Sequence, residues 1–162
     1  MDDDAKRLEV LKFILKRHAE PTVTSLMKIA YLADLLSLRQ KNGVRLTNYN
    51  YIRYYYGPFD KTIYHDLEAL VKEGLVKPIA RWSGRGDGDE YYVFEPSTKL
   101  SDSDETSLKA PEIKLLTQLL DDIRGYGAKT LTEAAYKTRP MTKLHATLGG
   151  QEHLFQPLDL NA

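Results

Sequence analysis

Apolar residues recur every three or four positions in five stretches of the chain, and this spacing is typical of amphipathic helices. The first two predicted helices cover residues 4–17 and a stretch from a cap at Thr22 or Thr24 to about residue 40. The third covers residues 60–74, and the last two cover about 111–123 and 130–138, the final one opened by a Thr130 and Glu133 capping box. The second helix is apolar on nearly all sides, so we expect it at the centre of the domain.

The hydrophobic period shortens in two other parts of the chain. Tyrosines alternate with other residues over positions 44–56, which predicts an extended segment ended by Gly57 and Pro58. Residues 75–82 and 91–94 indicate two strands joined by a glycine-rich turn, that is, an antiparallel hairpin. Residues 97–107, rich in Ser, Thr and Asp, indicate a surface linker. These elements predict an α+β domain that is mostly helical, with about five helices and one small antiparallel hairpin.

The order of elements in the middle of the chain is also that of a winged helix. In such a fold, the helix of residues 60–73 would enter the DNA groove and the turn of residues 84–89 would form the wing tip. That helix carries four acidic residues against two lysines, so its charge opposes contact with phosphates. A winged-helix transcriptional regulator that binds DNA is therefore the alternative function. The charge of this helix makes nucleic acid an unfavourable partner, but the sequence does not exclude it.

Composition narrows the function classes further. Lys plus Arg and Asp plus Glu number 23 each, so the formal net charge is zero. The chain contains no cysteine, its four histidines lack metal-ligand spacing, and no nucleophile stands with a base. We therefore expect no catalytic residue, no metal and no cofactor, and hence no enzyme. Acidic residues 2–4 and the lack of an 18-residue apolar stretch predict a cytoplasmic protein outside the membrane.

Tyrosine is the residue type that points to an interaction surface. The chain has 11 tyrosines, and five of them lie between positions 49 and 56. Tyr and Arg dominate binding energy at many protein interfaces. If Ile52, Tyr54 and Tyr56 pack inward, then alternate residues such as Tyr51 and Arg53 face outward, although alternation alone also permits the opposite assignment.

Two blocks of sequence resemble a known family. Residues 26–34 read LMKIAYLAD, and residues 54–59 read YYYGPF, followed by Ile63 and Tyr64. Together with Tyr126 and Gly127 before a short helix, these blocks resemble the Panacea domain of SocA-like antitoxins, also known as phage-associated GepA-like proteins. The resemblance covers most of residues 8–140. Tyr54 departs from it, standing where the family often has Trp, and Arg53 stands where a small residue is common.

The resemblance implies a domain over residues 1–140, with a hairpin insertion at about 75–96, a surface linker at about 97–107 and a tail at 141–162. The apolar residues of that tail dock either on the domain or on another chain. The implied function is that of an antitoxin in a toxin–antitoxin pair, which neutralises a partner toxin by direct protein contact. The resemblance does not identify the toxin or the oligomeric state. It also leaves open whether the toxin is blocked sterically or delivered to a protease.

Two groups of residues follow from the resemblance and the tyrosine pattern. We expect the toxin contact at Tyr51, Arg53, Tyr55, Gly57, Pro58 and Trp82. The resemblance marks as fold-defining Lys28, Tyr31, Asp34, Tyr54, Tyr56 and Tyr64. Asp34 lies among apolar residues of the second predicted helix, so we expect its carboxylate to be paired inside the domain.

Overall fold

A computed structural model describes residues 2–40, 43–82 and 90–162. Within these ranges the chain forms seven helices and two antiparallel sheets of two strands each. The helices are α1 (Asp3–Arg17), α2 (Val23–Leu38), α3 (Thr62–Lys72), α4 (Thr98–Ser101), α5 (Ala110–Asp122), α6 (Ala128–Tyr136) and α7 (Arg139–Lys143). The strands are β1 (Ile52–Tyr54), β2 (Gly57–Phe59), β3 (Val76–Trp82) and β4 (Glu90–Pro96). The predicted class, α+β and mostly helical, is confirmed.

Helix α2 is the central element, as its sequence predicted. It begins at a capping box in which the Thr22 and Ser25 side chains each accept a hydrogen bond from the other residue's backbone N–H. Buried residues lie on every side of the helix, and α1, α3, α5 and α6 pack around it. Since each of these neighbours buries an apolar face against α2, the hydrophobic core is continuous around this helix.

The strands form two separate hairpins. The predicted hairpin joins β3 to β4, with Val76 opposite Pro96 and Trp82 opposite Glu90. The second hairpin, β1 with β2, lies where only an extended segment was expected, because Gly57 begins a strand instead of ending one. Gly57 has a φ of 99°, a conformation that residues with a Cβ rarely adopt, so it permits the tight turn.

Two local expectations about helix positions were wrong. Helix α4 lies inside the segment predicted as a linker, because the Ser97 side chain caps its first turn. Helix α6 begins at Ala128, so Thr130 lies within the helix and does not cap it. Helix α6 ends at Tyr136, before Pro140, which lies in the first turn of α7, where its missing N–H costs no hydrogen bond.

The winged-helix arrangement is not confirmed by the observed fold. Helix α3 does precede the β3–β4 hairpin and packs against β3. The expected wing tip, residues 84–89, lies outside the described residues, as do Lys41 and Asn42.

The C-terminal tail docks on the domain itself. The backbone N–H of Leu158 donates to the carbonyl of Tyr51 over 3.0 Å, and that of Arg53 donates to the carbonyl of Gln156 over 2.8 Å. Ile52 and Pro157 form an antiparallel bridge between these two hydrogen bonds. The tail therefore lies along β1 as an additional short extended strand.

A buried carboxylate fixes the segment that leads into β1. Asp34 has no exposed surface, and its carboxylate accepts hydrogen bonds of 2.8 Å from the backbone N–H groups of Leu46 and Thr47. The hydroxyls of Thr47 and Tyr51 donate to the same carboxylate over 2.5 and 2.8 Å. Burial raises the pKa of Asp34, whereas the bonds from Thr47 and Tyr51 and the charge of Arg45 oppose that rise. Asp34 is thus paired inside the domain, as expected.

A second buried carboxylate joins α1, α3 and the same segment. The guanidinium of Arg7 binds both oxygens of Asp66, with distances of 2.8 and 2.7 Å. The hydroxyl of Tyr49 donates to Asp66 over 2.6 Å. The segment before β1 is therefore held at two tyrosines: Tyr51 binds Asp34, and Tyr49 binds Asp66.

We predict that Asp34→Ala lowers the free energy of unfolding by about 3–5 kcal/mol, because it leaves several buried donors without an acceptor. Urea denaturation measures this loss. Asp121→Ala is the matched control: its carboxylate is exposed, pairs with exposed Arg124 and should contribute less than about 1 kcal/mol. Equal losses in the two variants would contradict a structural role for the Asp34 network.

Candidate interaction surface

The expected outward orientation of Tyr51 and Arg53 is wrong. Tyr51 is 2% exposed and Arg53 is fully buried. The reason is the hydrogen bond from Tyr51 to Asp34, which turns this side chain toward α2 and sets the phase of the alternation. The opposite assignment, which alternation alone left open, therefore holds for these two residues.

Arg53 is a buried cation held by main-chain carbonyls. Its guanidinium donates to the carbonyls of Thr147 over 3.0 Å and Gly150 over 2.8 Å, and also to that of Tyr54. The guanidinium carbon lies 5.4 Å from the centre of the Tyr136 ring, a cation–π distance. Arg53 therefore anchors the start of the C-terminal tail and is not available to a partner on the surface of this structure.

Gly57 and Pro58 are also buried, against Lys28. The Lys28 amine donates to the carbonyl of Pro58 over 3.1 Å. A Cβ at Gly57 would stand 3.4 Å from the Tyr136 ring and 3.5 Å from the Lys28 side chain. Burial lowers the pKa of Lys28 from 10.5 to about 7. Gly57, Pro58 and Lys28 therefore pack on the side of the β1–β2 hairpin that faces the core.

Two of the residues expected to contact a toxin are exposed, and they lie on different hairpins. Tyr55 is 47% exposed at the turn between β1 and β2, and Trp82 is 64% exposed at the end of β3. Among the described residues, no ring contact joins Trp82 to the tyrosines of the β1–β2 hairpin. Trp82 is therefore separate from the aromatic cluster around Tyr55.

The exposed aromatic side chains around the β1–β2 turn form what we call the aromatic patch. It comprises Tyr55, Tyr56, Tyr64 and Phe155, which are 47%, 67%, 55% and 53% exposed. Tyr55 and Tyr56 form the turn between the strands, Tyr64 lies in the first turn of α3, and Phe155 comes from the tail. The turn, the neighbouring helix α3 and the distant C-terminal tail thus contribute to one surface.

Tyr54 and Phe59 form the base of the patch. The Tyr54 ring stacks on Phe59 at 4.9 Å and meets Tyr55 edge-on at 4.9 Å. Phe155 lies 5.8 Å from Tyr54 and 5.7 Å from Tyr55, while Tyr64 lies 5.7 Å from Phe59. These distances suit attractive aromatic pairs, so neighbouring rings support the exposed rings of Tyr55, Tyr64 and Phe155.

The residues marked as fold-defining divide into two groups. Lys28, Tyr31 and Asp34 are buried on α2, and the Tyr31 hydroxyl hydrogen bonds to that of Thr138 over 2.7 Å. Tyr56 and Tyr64, in contrast, are exposed parts of the patch. The sequence reasoning missed Phe155 as a site residue, since its only signal was an apolar side chain in a mainly polar tail.

The described residues show neither a candidate metal site nor a candidate membrane-spanning helix. Within residues 2–40, 43–82 and 90–162, no three His, Asp or Glu side chains group in a way that could hold a metal ion. The helices in these ranges are also too short or too polar for one of them to span a bilayer.

The order of residues agrees with a family of antitoxins. The family model described as antitoxin SocA-like, Panacea domain, matches residues 26–140. This range begins within α2 and ends at Pro140, so it contains Lys28, the β1–β2 hairpin and α3. No curated protein and no solved structure matches the chain.

We predict that the free energy of unfolding rises from about pH 7 to about pH 9.5. In this range the unfolded chain keeps the Lys28 proton that the folded protein has released, whereas below about pH 7 both states bind it. The slope from this residue is at most about 1.4 kcal/mol per pH unit.

Lys28→Met should remove that slope, because it keeps the aliphatic length of the side chain without its amine. Urea denaturation at several pH values measures it. Lys72→Met is the control, since exposed Lys72 pairs only with exposed Glu68 among the ion pairs of the structure and should leave the slope unchanged. A Lys28→Met protein with the slope of the wild type would contradict the assignment.

Proposed function

The chain belongs to the family of SocA-like antitoxins with a Panacea domain, and from this premise we propose that it neutralises a partner toxin by direct contact through the aromatic patch. The observation that supports this choice of surface is the grouping of exposed aromatic side chains around the β1–β2 turn, where the rings of Tyr55, Tyr64 and Phe155 pack on Tyr54, on Phe59 or on one another. Family membership favours a binding role over catalysis. The toxin is therefore the partner, and no cofactor takes part.

The physical properties of the patch suit protein recognition. Tyrosine contributes a large contact area with few rotatable bonds, so ordering it on binding costs little entropy. Contiguous exposed aromatic side chains lower the solubility of a protein, and such patches commonly mark interaction sites. Tyr55 and Tyr56, which stand at the tip of a hairpin, can enter a depression on a partner, while Tyr64 and Phe155 form the shoulders of the contact.

Charge supports contact with a protein over contact with DNA. The formal net charge of the chain is zero, so no strong long-range field attracts a polyanion. On α3, exposed Lys72 pairs with Glu68 at 3.2 Å, and Asp66 is buried against Arg7. Binding through the patch should therefore depend weakly on salt, whereas binding to DNA would weaken steeply as salt rises.

The decisive experiment is co-expression of the chain with each neighbouring reading frame, scored by growth and by co-purification. Growth rescue together with a stable complex supports direct neutralisation. The amount of toxin in rescued cells separates two mechanisms: an unchanged amount indicates steric blockage, and a reduced amount indicates delivery to a protease. If no neighbouring reading frame is toxic and none co-purifies, the proposal fails.

We predict that Tyr55→Ser with Tyr56→Ser weakens toxin binding about 100-fold and abolishes rescue, because two aromatic anchors are lost. Calorimetry with the co-purified toxin measures the affinity, and the Tm should stay close to that of the wild type, since both side chains are exposed.

The matched control is Tyr91→Ser with Tyr126→Ser, which removes two tyrosines of 43% and 39% exposure outside the patch. This control should bind the toxin like the wild type. Trp82→Ser tests the β3–β4 hairpin separately. Full binding by the Tyr55 and Tyr56 variant, or equal loss in the control, would place the contact elsewhere.

A further inference from the structure

The tail covers the free edge of strand β1. We define the strap as residues 151–158, the part of the tail that reaches this edge. The N–H of Phe155 donates to the carbonyl of Arg53 over 2.6 Å, and the N–H of Arg53 donates to the carbonyl of Gln156 over 2.8 Å. With the bond from Leu158 to Tyr51, these contacts form an antiparallel ladder. The strap thus satisfies main-chain groups of β1 that would otherwise be unpaired.

Few side chains of the strap are buried. Leu158 is its only buried residue, at 9% exposure, while Phe155 is 53% exposed. Residues 151–153 and 155–157 all lie on the surface. Main-chain hydrogen bonds therefore provide most of its attachment, and any extended peptide can offer the same groups.

Backbone strain also weakens the strap. His153 has a φ of 60° and Phe155 a φ of 68°, in the left-handed region that residues with large side chains rarely adopt. Two such residues within three positions store strain, which is released when the segment leaves β1. The strap is thus less favourably held than the number of its hydrogen bonds indicates.

Arg53 limits how far the tail can move. Its guanidinium binds the carbonyls of Thr147 and Gly150 within the domain. Residues up to 150 are therefore anchored by a buried side chain, whereas the strap begins directly after them. Release of the strap leaves this anchor in place and exposes the edge of β1 together with the apolar surface that Leu158 and Phe155 cover.

We propose that the strap is an intramolecular placeholder, which an extended segment of the toxin displaces to pair with β1 as an added strand. This inference rests on the proposed function, because it names the recognition mode of the same surface. Phe155 and Leu158 indicate what the incoming segment offers: an aromatic residue beside Tyr54 and Tyr55, and an apolar residue three positions later. Strand addition and the aromatic patch then act on one partner.

A reversible cross-link provides the first test. Ile52 and Pro157 face each other between the ladder hydrogen bonds, a pair type whose Cα atoms lie about 4.5 Å apart, which is within disulfide range. The chain has no cysteine of its own, so Ile52→Cys with Pro157→Cys locks the strap specifically on oxidation. Pro157→Cys alone, taken through the same oxidation, is the control.

The probe is a fluorescent synthetic peptide with the sequence of residues 151–162, and anisotropy measures its binding to the full chain. We expect the oxidised double-cysteine protein to bind the peptide at least tenfold more weakly than the same protein reduced. We expect Leu158→Ala, which loosens the strap, to bind it at least tenfold more tightly than the wild type. Equal affinity in the oxidised and reduced proteins, or no binding to any of these four proteins, would overturn the inference.

A toxin obtained by co-purification separates this inference from the proposed function. Binding to the reduced but not to the oxidised protein supports both. Equal binding to both forms overturns strand exchange and leaves the proposed function intact. If no toxin co-purifies with the wild-type chain, the proposed function fails, while the peptide experiment still decides whether the β1 edge accepts a strand.

Discussion

The carboxylate of Asp34 is the constraint on which the interaction surface depends. It receives two backbone N–H groups and two hydroxyls from the segment that precedes β1, all within the core. A buried carboxylate is costly unless its hydrogen bonds are made, so this segment has one favourable path across α2. That path turns Tyr51 inward, which fixes the phase of β1, brings Arg53 to the inside of the domain and leaves the hairpin turn at the surface.

Two buried cations then organise what lies on either side of the hairpin. Lys28 binds the carbonyl of Pro58 from the side of α2, and Arg53 binds the carbonyls of Thr147 and Gly150 from β1. In both cases carbonyl oxygens replace the water that the cation loses on burial, but they do not neutralise its charge. The two residues nevertheless have different roles. Lys28 can release its proton, which links stability to pH, whereas the planar guanidinium of Arg53 donates to several carbonyls at once and anchors the tail.

The toxin contact that we propose needs a surface that is rigid enough to be specific and still accessible. The aromatic patch meets both needs because its exposed rings rest on Tyr54 and Phe59, which belong to a hairpin held from the core. Its one contribution from the tail, Phe155, comes from a segment attached mainly by its backbone. The patch therefore combines a fixed part on β1, β2 and α3 with a part that strand exchange could replace.

The five longest helices and the fold class could be predicted from the sequence, because their information is local: apolar spacing, the Thr22 cap and the all-round apolar character of α2. The two blocks around Lys28 to Asp34 and Tyr54 to Phe59 also sufficed to indicate the family. Alternation defines the period of a strand but not its phase, so the burial of Tyr51 and Arg53 was decided by Asp34, a residue distant in sequence. The place of Phe155 in the patch likewise depends on tertiary structure, since its ring meets Tyr54 and Tyr55 about a hundred positions away only after the tail pairs with β1.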